Sequence, residues 1–257
     1  MAAWEVAAPR RERTFTRWLR WANNLGIAAI DTALVRLAFP IAAVGLAQLT
    51  VERGWGLLSV LETPAWLAFV VSLLALDLAI YLQHVMFHAV PALWRLHRMH
   101  HADLEFDVTT GVRFHPIEIL ISMGIKLAVI AVLGAPALAV LVFEVLLSST
   151  AMFNHGNVRI APALDRALRW LVVTPDMHRI HHSIHPDETN SNFGFNLPWW
   201  DRLLGTYRAQ PRDGQDGMTI GIEQFRTARD LWLDRMLIQP WRGQASSYSI
   251  NRRESAR

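Results

Sequence analysis

No cysteine occurs among the 257 residues, which excludes disulfide scaffolds, thiolate metal sites, iron–sulfur clusters and cysteine nucleophiles. Lysine is nearly as scarce: Lys126 is the only one, and arginine supplies the other 24 basic residues. That bias fits a GC-rich bacterial genome. Charge of either sign is low. Asp, Glu, Lys and Arg make up 18% of the chain, against about 25% in soluble domains, while 52% of residues are hydrophobic. This balance excludes a purely soluble globule and, over most of the chain, disorder. A formal charge of +3 is too small to point to nucleic acid as a partner. The composition is that of a membrane protein.

A helix needs about 20 apolar residues to cross a bilayer, with about 17 as the lower limit. Four stretches qualify. Residues 27–51 are apolar apart from Asp31 and Arg36, with a kink expected at Pro40. Residues 65–82 are interrupted only by Asp77, with Thr63 and Pro64 suited to start the helix. Residues 117–133 carry Glu118 and Lys126, and 135–153 carry Glu144. Gly134-Ala135-Pro136 forces the last two into a tight hairpin. Counted from that turn, Lys126 and Glu144 fall at nearly equal depth, at about 1.5 Å per residue; an ion pair between them is expected.

The first 26 residues carry Arg10, Arg11, Arg13, Arg17 and Arg20, which places the N-terminus on the cytosolic side. They lack the small-residue cleavage pattern of a signal peptide. Residues 15–25 read as a basic interfacial helix. Four spans then return the C-terminus to the cytosol, with residues 83–116 on the same side. Residues 211–241 are expected to be a loop followed by an amphipathic interfacial helix over 223–241, and 242–257 a disordered tail. No internal repeat is present.

All 11 histidines lie between His84 and His185, on the cytosolic side of this topology. They form His84-x-x-x-His88, His97-x-x-His100-His101, Asn154-His155 and His178-x-x-His181-His182. On a helix, positions i, i+3 and i+4 share a face, so each His-x-x-His-His box is expected to present three imidazoles to one point. A single pair would be unremarkable. Clustered neutral imidazoles on one side of a membrane call for a bound cation. Nine histidines exceed the four or so ligands of a zinc site, and two metals with four or five imidazoles each fit the count. Imidazole suits Zn, Cu, Fe and Ni alike. The His-Glu-x-x-His motif of zinc hydrolases is absent, and a transporter would hold its ligands near the bilayer midplane. Redox irons beside a bilayer point to dioxygen chemistry on an apolar substrate.

The order of these boxes resembles the fatty acid hydroxylase/sterol desaturase superfamily of integral membrane di-iron oxygenases. The surrounding phrases resemble it too: Arg113-Phe114-His115-Pro116-Ile117-Glu118, Thr174-Pro175-Asp176-Met177-His178-Arg179-Ile180-His181-His182, Ser191-Asn192-Phe193-Gly194 and Trp200-Asp201-Arg202-Leu203-Leu204-Gly205-Thr206-Tyr207. The resemblance runs from about residue 70 to 207. It implies an all-α fold: a four-helix transmembrane domain over 27–210, capped by a cytosolic helical lobe that holds two irons. An oxidant made there from dioxygen and two electrons would take hydrogen from an unactivated lipid C–H. Carried over residue by residue, the ligands are His84, His88, His97, His100, His101, His155, His178, His181 and His182. Some relatives have a further histidine four residues after the one matching His155; Arg159 stands here, and His115 is the candidate replacement. His185 is a weaker one. Zinc can occupy such sites as an artefact. With no room for a fused haem carrier, a ferredoxin or similar donor with its reductase would supply electrons.

Metal-bound histidines usually donate their other N–H to a carboxylate or carbonyl. Asp103, Asp107, Asp176, Asp187, Glu188 and Asp201 lie near the boxes, with Asp176 and Asp201 favoured as such acceptors. Asp77 shares a helical face with Tyr81, His84 and His88, and an ionisable group inside a span calls for a role: acceptor for a histidine, or hydrogen bonder between helices. Trp199 and Trp200 could line a substrate channel or anchor at the interface. Hydroxylation of a fatty acyl or sterol-like lipid in a bacterial inner membrane is the leading expectation. Desaturation at the same site is the nearest alternative, and a non-catalytic metal-binding membrane protein a more distant one.

Overall fold

The computed structural model describes residues 1–244, Tyr248 and Ile250. Fourteen α-helices follow in order among them: α1 (Ala2–Ala7), α2 (Arg17–Ala38), α3 (Ala42–Glu52), α4 (Leu57–Val60), α5 (Ala65–Ala89), α6 (Pro91–His101), α7 (Pro116–Leu133), α8 (Ala137–Asn154), α9 (Pro162–Leu168), α10 (Pro175–His181), α11 (Pro186–Thr189), α12 (Trp199–Leu204), α13 (Gly214–Gly217) and α14 (Leu233–Ile238). No strand is formed among the described residues beyond isolated bridges.

The segment from α2 to α4, together with α5, α7 and α8, makes four helical units long and apolar enough to cross a membrane. Their inner faces close on Ala43, Ala47, Leu76, Ile80, Ile130, Val140 and Phe143. Leu37, Trp66, Val70, Val132, Leu138, Val145 and other large apolar side chains point outward, a surface suited only to lipid. The chain is an integral membrane protein.

The kink expected in the first span is a complete break. Proline supplies no N–H and clashes with the preceding turn, so α2 stops before Phe39-Pro40-Ile41 and α3 restarts at Ala42, whose φ is +55°. The hairpin is as tight as expected. Gly134 ends α7 in the left-handed region at φ +67°, and a Cβ there would strike the Trp55 carbonyl. Only glycine satisfies both conditions.

At one end of the bundle, α6, residues 102–115 and α9–α14 build a polar lobe. Residues 1–26, expected as a separate interfacial segment, are part of it. Glu5 is buried and accepts the Val108 and Asn157 N–H groups at 2.8 Å. Arg11 donates to the carbonyls of Gln215 (2.7 Å) and Met218 (2.6 Å). Arg20 has no exposed surface and grips Asp103 with two hydrogen bonds (2.7 and 2.8 Å) and Asp107 with one. These arginines therefore have structural work beyond marking a membrane face.

Residues 223–241 do not form one amphipathic helix: a 3-10 turn (Ala228–Leu231), α14 and a second 3-10 turn (Gln239–Trp241) break it into pieces. Most of the tail expected to be disordered lies outside the described residues. Tyr248 within it is fully buried, stacked on Trp94, and donates its hydroxyl to the Ile184 carbonyl (2.5 Å).

Lys126 Nζ lies 2.6 Å from Glu144 Oε1 across the α7–α8 hairpin, with Lys126 almost wholly buried. Removing one partner leaves an uncompensated charge in a low-dielectric setting, at a cost of about 3 kcal/mol, while replacing both can be close to neutral. Lys126→Met and Glu144→Gln are each expected to lower the Tm in detergent, and the double variant to recover most of the loss. Additive losses in the same melts would show that the pair contributes nothing as a pair.

Candidate metal centre

The nine box histidines converge on the C-terminal end of α5 from four directions. α5 turns Asp77, Tyr81, His84 and His88 to its buried side. After the break at Val90, Pro91 starts α6, which carries His97, His100 and His101, all buried. His155 caps the C-terminus of α8. The Thr174 side chain caps α10, with Pro175 in its first turn, and α10 delivers His178, His181 and the flanking His182.

These side chains form two groups. His84, His88, His97, His101 and His181 make one; His100, His155, His178 and His182 make the other. Within each group the potential ligand atoms all lie within 4.8 Å of one another. Neither His-x-x-His-His box serves a single point. His97 and His101, four residues apart, join the first group while His100 joins the second; His178 and His182 join the second while His181 crosses to the first. The boxes thus interlock.

The ring nitrogens are polarised in one direction. Nδ1 faces a carbonyl in His84 (Phe193, 2.8 Å), His181 (Ser191, 2.7 Å), His155 (Ala151, 2.8 Å) and His100 (Arg113, 3.2 Å). In His88 it faces Asn190 Oδ1 (3.0 Å), and in His97 the Glu118 carboxylate (2.6 Å). A carbonyl only accepts, so each of those four Nδ1 atoms donates, and the neutral ring keeps its lone pair on Nε2. Neutral rings are what the setting enforces. Burial brings His97 to about 3 and, as the chief cause, His155 to about 3. Burial, helped by neighbouring imidazoles, holds His100, His101, His178, His181 and His182 well below the ordinary imidazole range.

Yet Nε2 meets Nε2 at 3.1 Å between His84 and His97, 3.2 Å between His155 and His100, and 3.1 Å between His178 and His155. For the His155–His100 pair the Nδ1 protons leave none to share, so bare lone pairs confront each other. His88 Nε2, His181 Nε2 and both ring nitrogens of His101 and His182 are buried without hydrogen-bond partners. Unsatisfied buried nitrogens are costly. Metal ions bonded at about 2.0–2.1 Å would turn the opposed lone pairs into adjacent ligands, so the residues fit a metal in each group.

The other candidates lie elsewhere. His115 caps α7 by accepting the Ile117 N–H (3.2 Å) and donates Nε2 to the Leu237 carbonyl (3.1 Å), so neither nitrogen is free for a metal. His185 pairs with Asp213 at the surface, and Arg159 is exposed. Asp77 bonds no histidine; it accepts Trp200 Nε1 (2.8 Å) and the Leu197 N–H (3.3 Å), tying α5 to α12 and the segment before it. Trp199 donates to the Trp170 carbonyl (2.7 Å). Asp176 pairs with Arg179 and Arg10 rather than a ring. Asp103 and Asp107 serve Arg20, Asp187 pairs with Arg208 and Arg212, and Glu188 pairs with Arg208. Asp201 acts one step back: it accepts the Phe193 and Gly194 N–H groups, both at 2.8 Å, and so holds the loop whose carbonyls orient His84 and His181. Burial pushes its carboxyl up to about 6. The carboxylate that does reach a ligand-group histidine is Glu118. Its position three residues after His115, at the mouth of a span, is the signal that could have marked it.

A cavity of about 600 Å³ opens from this centre into the bundle. His84, His97, Phe114 and Glu118 line its head, and Lys126 and Glu144 its deeper part. Glu118 and Lys126 stand eight residues apart on α7, about 12 Å along the axis. Exposed Thr32, Arg36, Ser148 and Met152 rim it on α2 and α8, so its mouth faces the bilayer.

Residues 69–206 match the family model described as fatty acid hydroxylase. The chain belongs to the fatty acid hydroxylase family. The matched segment contains both groups of histidines, Glu118 and Asp201. Among relatives, an ornithine lipid hydroxylase from Rhizobium tropici is 32% identical over 161 residues, 62% of this chain and 47% of the relative. An alkylglycerol monooxygenase from Xenopus tropicalis is 27% identical over 62% of this chain and 34% of its own. A cholesterol 25-hydroxylase from Homo sapiens is 26% identical over 53% of this chain and 49% of its own. The chain therefore spans about half or less of the curated relatives it matches. No solved structure matches it.

For this family member, Glu118 is the outer partner of a candidate ligand. Such partners typically govern metal affinity by 10–100-fold. Glu118→Gln is expected to weaken metal binding by about that factor in a chelator competition, with the helical circular dichroism unchanged. Unaltered metal affinity would remove Glu118 from the centre.

Proposed function

We propose that the chain is a membrane-bound non-haem di-iron monooxygenase that hydroxylates an unactivated C–H of a lipid. The observation that carries this reading is the cavity: its mouth faces lipid, and its head is formed by His84 and His97 of the five-histidine group. The relatives named above for ornithine lipid, alkylglycerol and cholesterol support a lipid substrate. Bound iron would supply the activation of dioxygen with two external electrons. The nine histidines would hold two irons, five imidazoles to one and four to the other.

The chain's own residues prepare the rest. Phe87, Phe114 and Phe195 line the cavity beside the histidines and keep the reacting carbon in apolar surroundings. The carbonyls of Ser191 and Phe193 hold His181 and His84 in one tautomer, and Glu118 orients His97, so that charge arriving at the centre meets preset dipoles. Residues on all sides bury the histidines, which excludes water from the oxidant. A separate ferredoxin or similar donor, with its reductase, would deliver electrons to the lobe. The lobe and both termini are assigned to the cytosolic side of a bacterial inner membrane.

Purified active protein is expected to hold close to two irons per chain, counted by plasma mass spectrometry, and His100→Ala to lose iron and activity together. Full activity with zinc alone would end the oxygenase reading.

Turnover is expected to be small with dioxygen and lipid extract alone. Added ferredoxin and reductase should yield product with one oxygen atom from ¹⁸O₂. An unsaturated product without label would transfer the site to desaturation.

A further inference from the structure

Asp31 is a buried carboxylate that the metal centre does not employ. It sits on α2 inside the membrane bundle with 7% of its surface exposed, lines the cavity, and its Oδ1 has no hydrogen-bond partner among the described residues. Two further buried acceptors in the same cavity are unpartnered. Gln83 on α5 commits Nε2 to Ser122 Oγ (2.8 Å), which leaves Oε1 without a donor. Glu118 on α7 commits Oε1 to His97 Nδ1, which leaves Oε2 without one.

The charged and hydroxyl donors nearest these groups on the same walls are directed elsewhere or stand at the rim. Lys126 faces Glu144, Thr32 donates to the Ala28 carbonyl (2.8 Å), and Arg36 stands at the exposed rim. Three helices thus bring three open acceptors, two of them carboxylates, to a cavity headed by His84 and His97. Glu118 has His97 Nδ1 beside one oxygen; Asp31 has no such partner for Oδ1 among the described residues. A buried carboxylate left this way is costly unless a donor, and best a cation, completes it. A primary ammonium has three N–H donors and a positive charge, the complement of a cavity wall with several open acceptors.

We infer that Asp31, with Gln83 and Glu118, forms a subsite for the ammonium group of an amine-bearing lipid, holding that end of the lipid beside His84 and His97. The inference rests on the lipid-substrate reading above and narrows it from lipids in general to those with a primary amine at the reacting end. A plain acyl chain or a hydrocarbon sterol body would leave all three acceptors unsatisfied.

The test uses the full chain in phosphatidylcholine nanodiscs at neutral pH, with empty nanodiscs as the blank. Binding of hexadecylamine, N-acetylhexadecylamine and hexadecanol is compared by native mass spectrometry. Hexadecylamine is expected to bind about tenfold or more tightly than either neutral probe, the difference made by a charge-assisted hydrogen bond. Asp31→Asn should bring the three within about twofold of one another, with metal content as in the parent and a Tm no lower. Equal binding of the three probes by the parent chain overturns the subsite, and that comparison needs no variant to fold. Retained amine preference in Asp31→Asn overturns it equally. Incorporation of ¹⁸O into a neutral lipid, with no amine preference in binding, would reject the subsite and leave the monooxygenase reading standing.

Discussion

Nitrogen lone pairs pointed at one another in a water-free interior are the constraint around which this molecule is built. His155 and His100, each with its Nδ1 proton on a carbonyl, face one another Nε2 to Nε2 at 3.2 Å and repel unless a cation lies between them, and burial prevents a proton from playing that part. The polypeptide holds them there by committing backbone carbonyls outward. Ser191, Phe193, Ala151 and Arg113 each give a carbonyl to an imidazole. The 190–196 loop supplies two of these carbonyls, from Ser191 and Phe193. Asp201 then anchors the loop's amides, and Asn192, at φ +51°, ties it to Met177 and Arg208 through its side chain.

The membrane bundle answers a different demand. Its outer faces are apolar because lipid is their solvent, and polar groups survive only where another group or the cavity receives them. Lys126 and Glu144 receive each other. Asp77 receives the Trp200 indole and so fastens the bundle to the lobe. The break at Phe39-Pro40-Ile41 falls beside the cavity, where Ala42 forms part of the lining. The same helix, α2, carries Arg20 into the lobe at one end and Asp31 into the cavity further along. One element therefore links the cap, the cavity and the bilayer.

Local repeat patterns were enough to show the four spans, the Gly134 turn, the depth match of Lys126 with Glu144 and the nine clustered histidines. Span length, helical periodicity and turn chemistry are properties of neighbouring residues, and a linear chain displays them directly. Those patterns also misled where a rule about neighbours was extended into space. Residues i, i+3 and i+4 share a broad face, but i+3 and i+4 are about 100° apart around the axis at 3.6 residues per turn. Each box can therefore serve two centres, and the packing of α6 against α10 made it do so. Asp77 and Asp176 looked like partners of histidines because they stood near them in sequence. Glu118 became one because α7 begins where α6 passes.

His115 was drawn away by the first turn of α7 and the Leu237 carbonyl, contacts that its spacing from the boxes does not contain. The arginines of the first 26 residues read as a membrane signal, yet Arg20 is a buried clamp on Asp103 and Asp107. Asp31 read only as a flaw in an apolar span. Sequence determined which groups this protein has and which side of each helix they occupy, because covalent spacing and helical pitch suffice for that. Tertiary structure alone decided the division of nine imidazoles into five and four, the partner of each carboxylate and the open acceptors of the cavity. Those depend on which helices meet, and at what angle, across long separations in the chain.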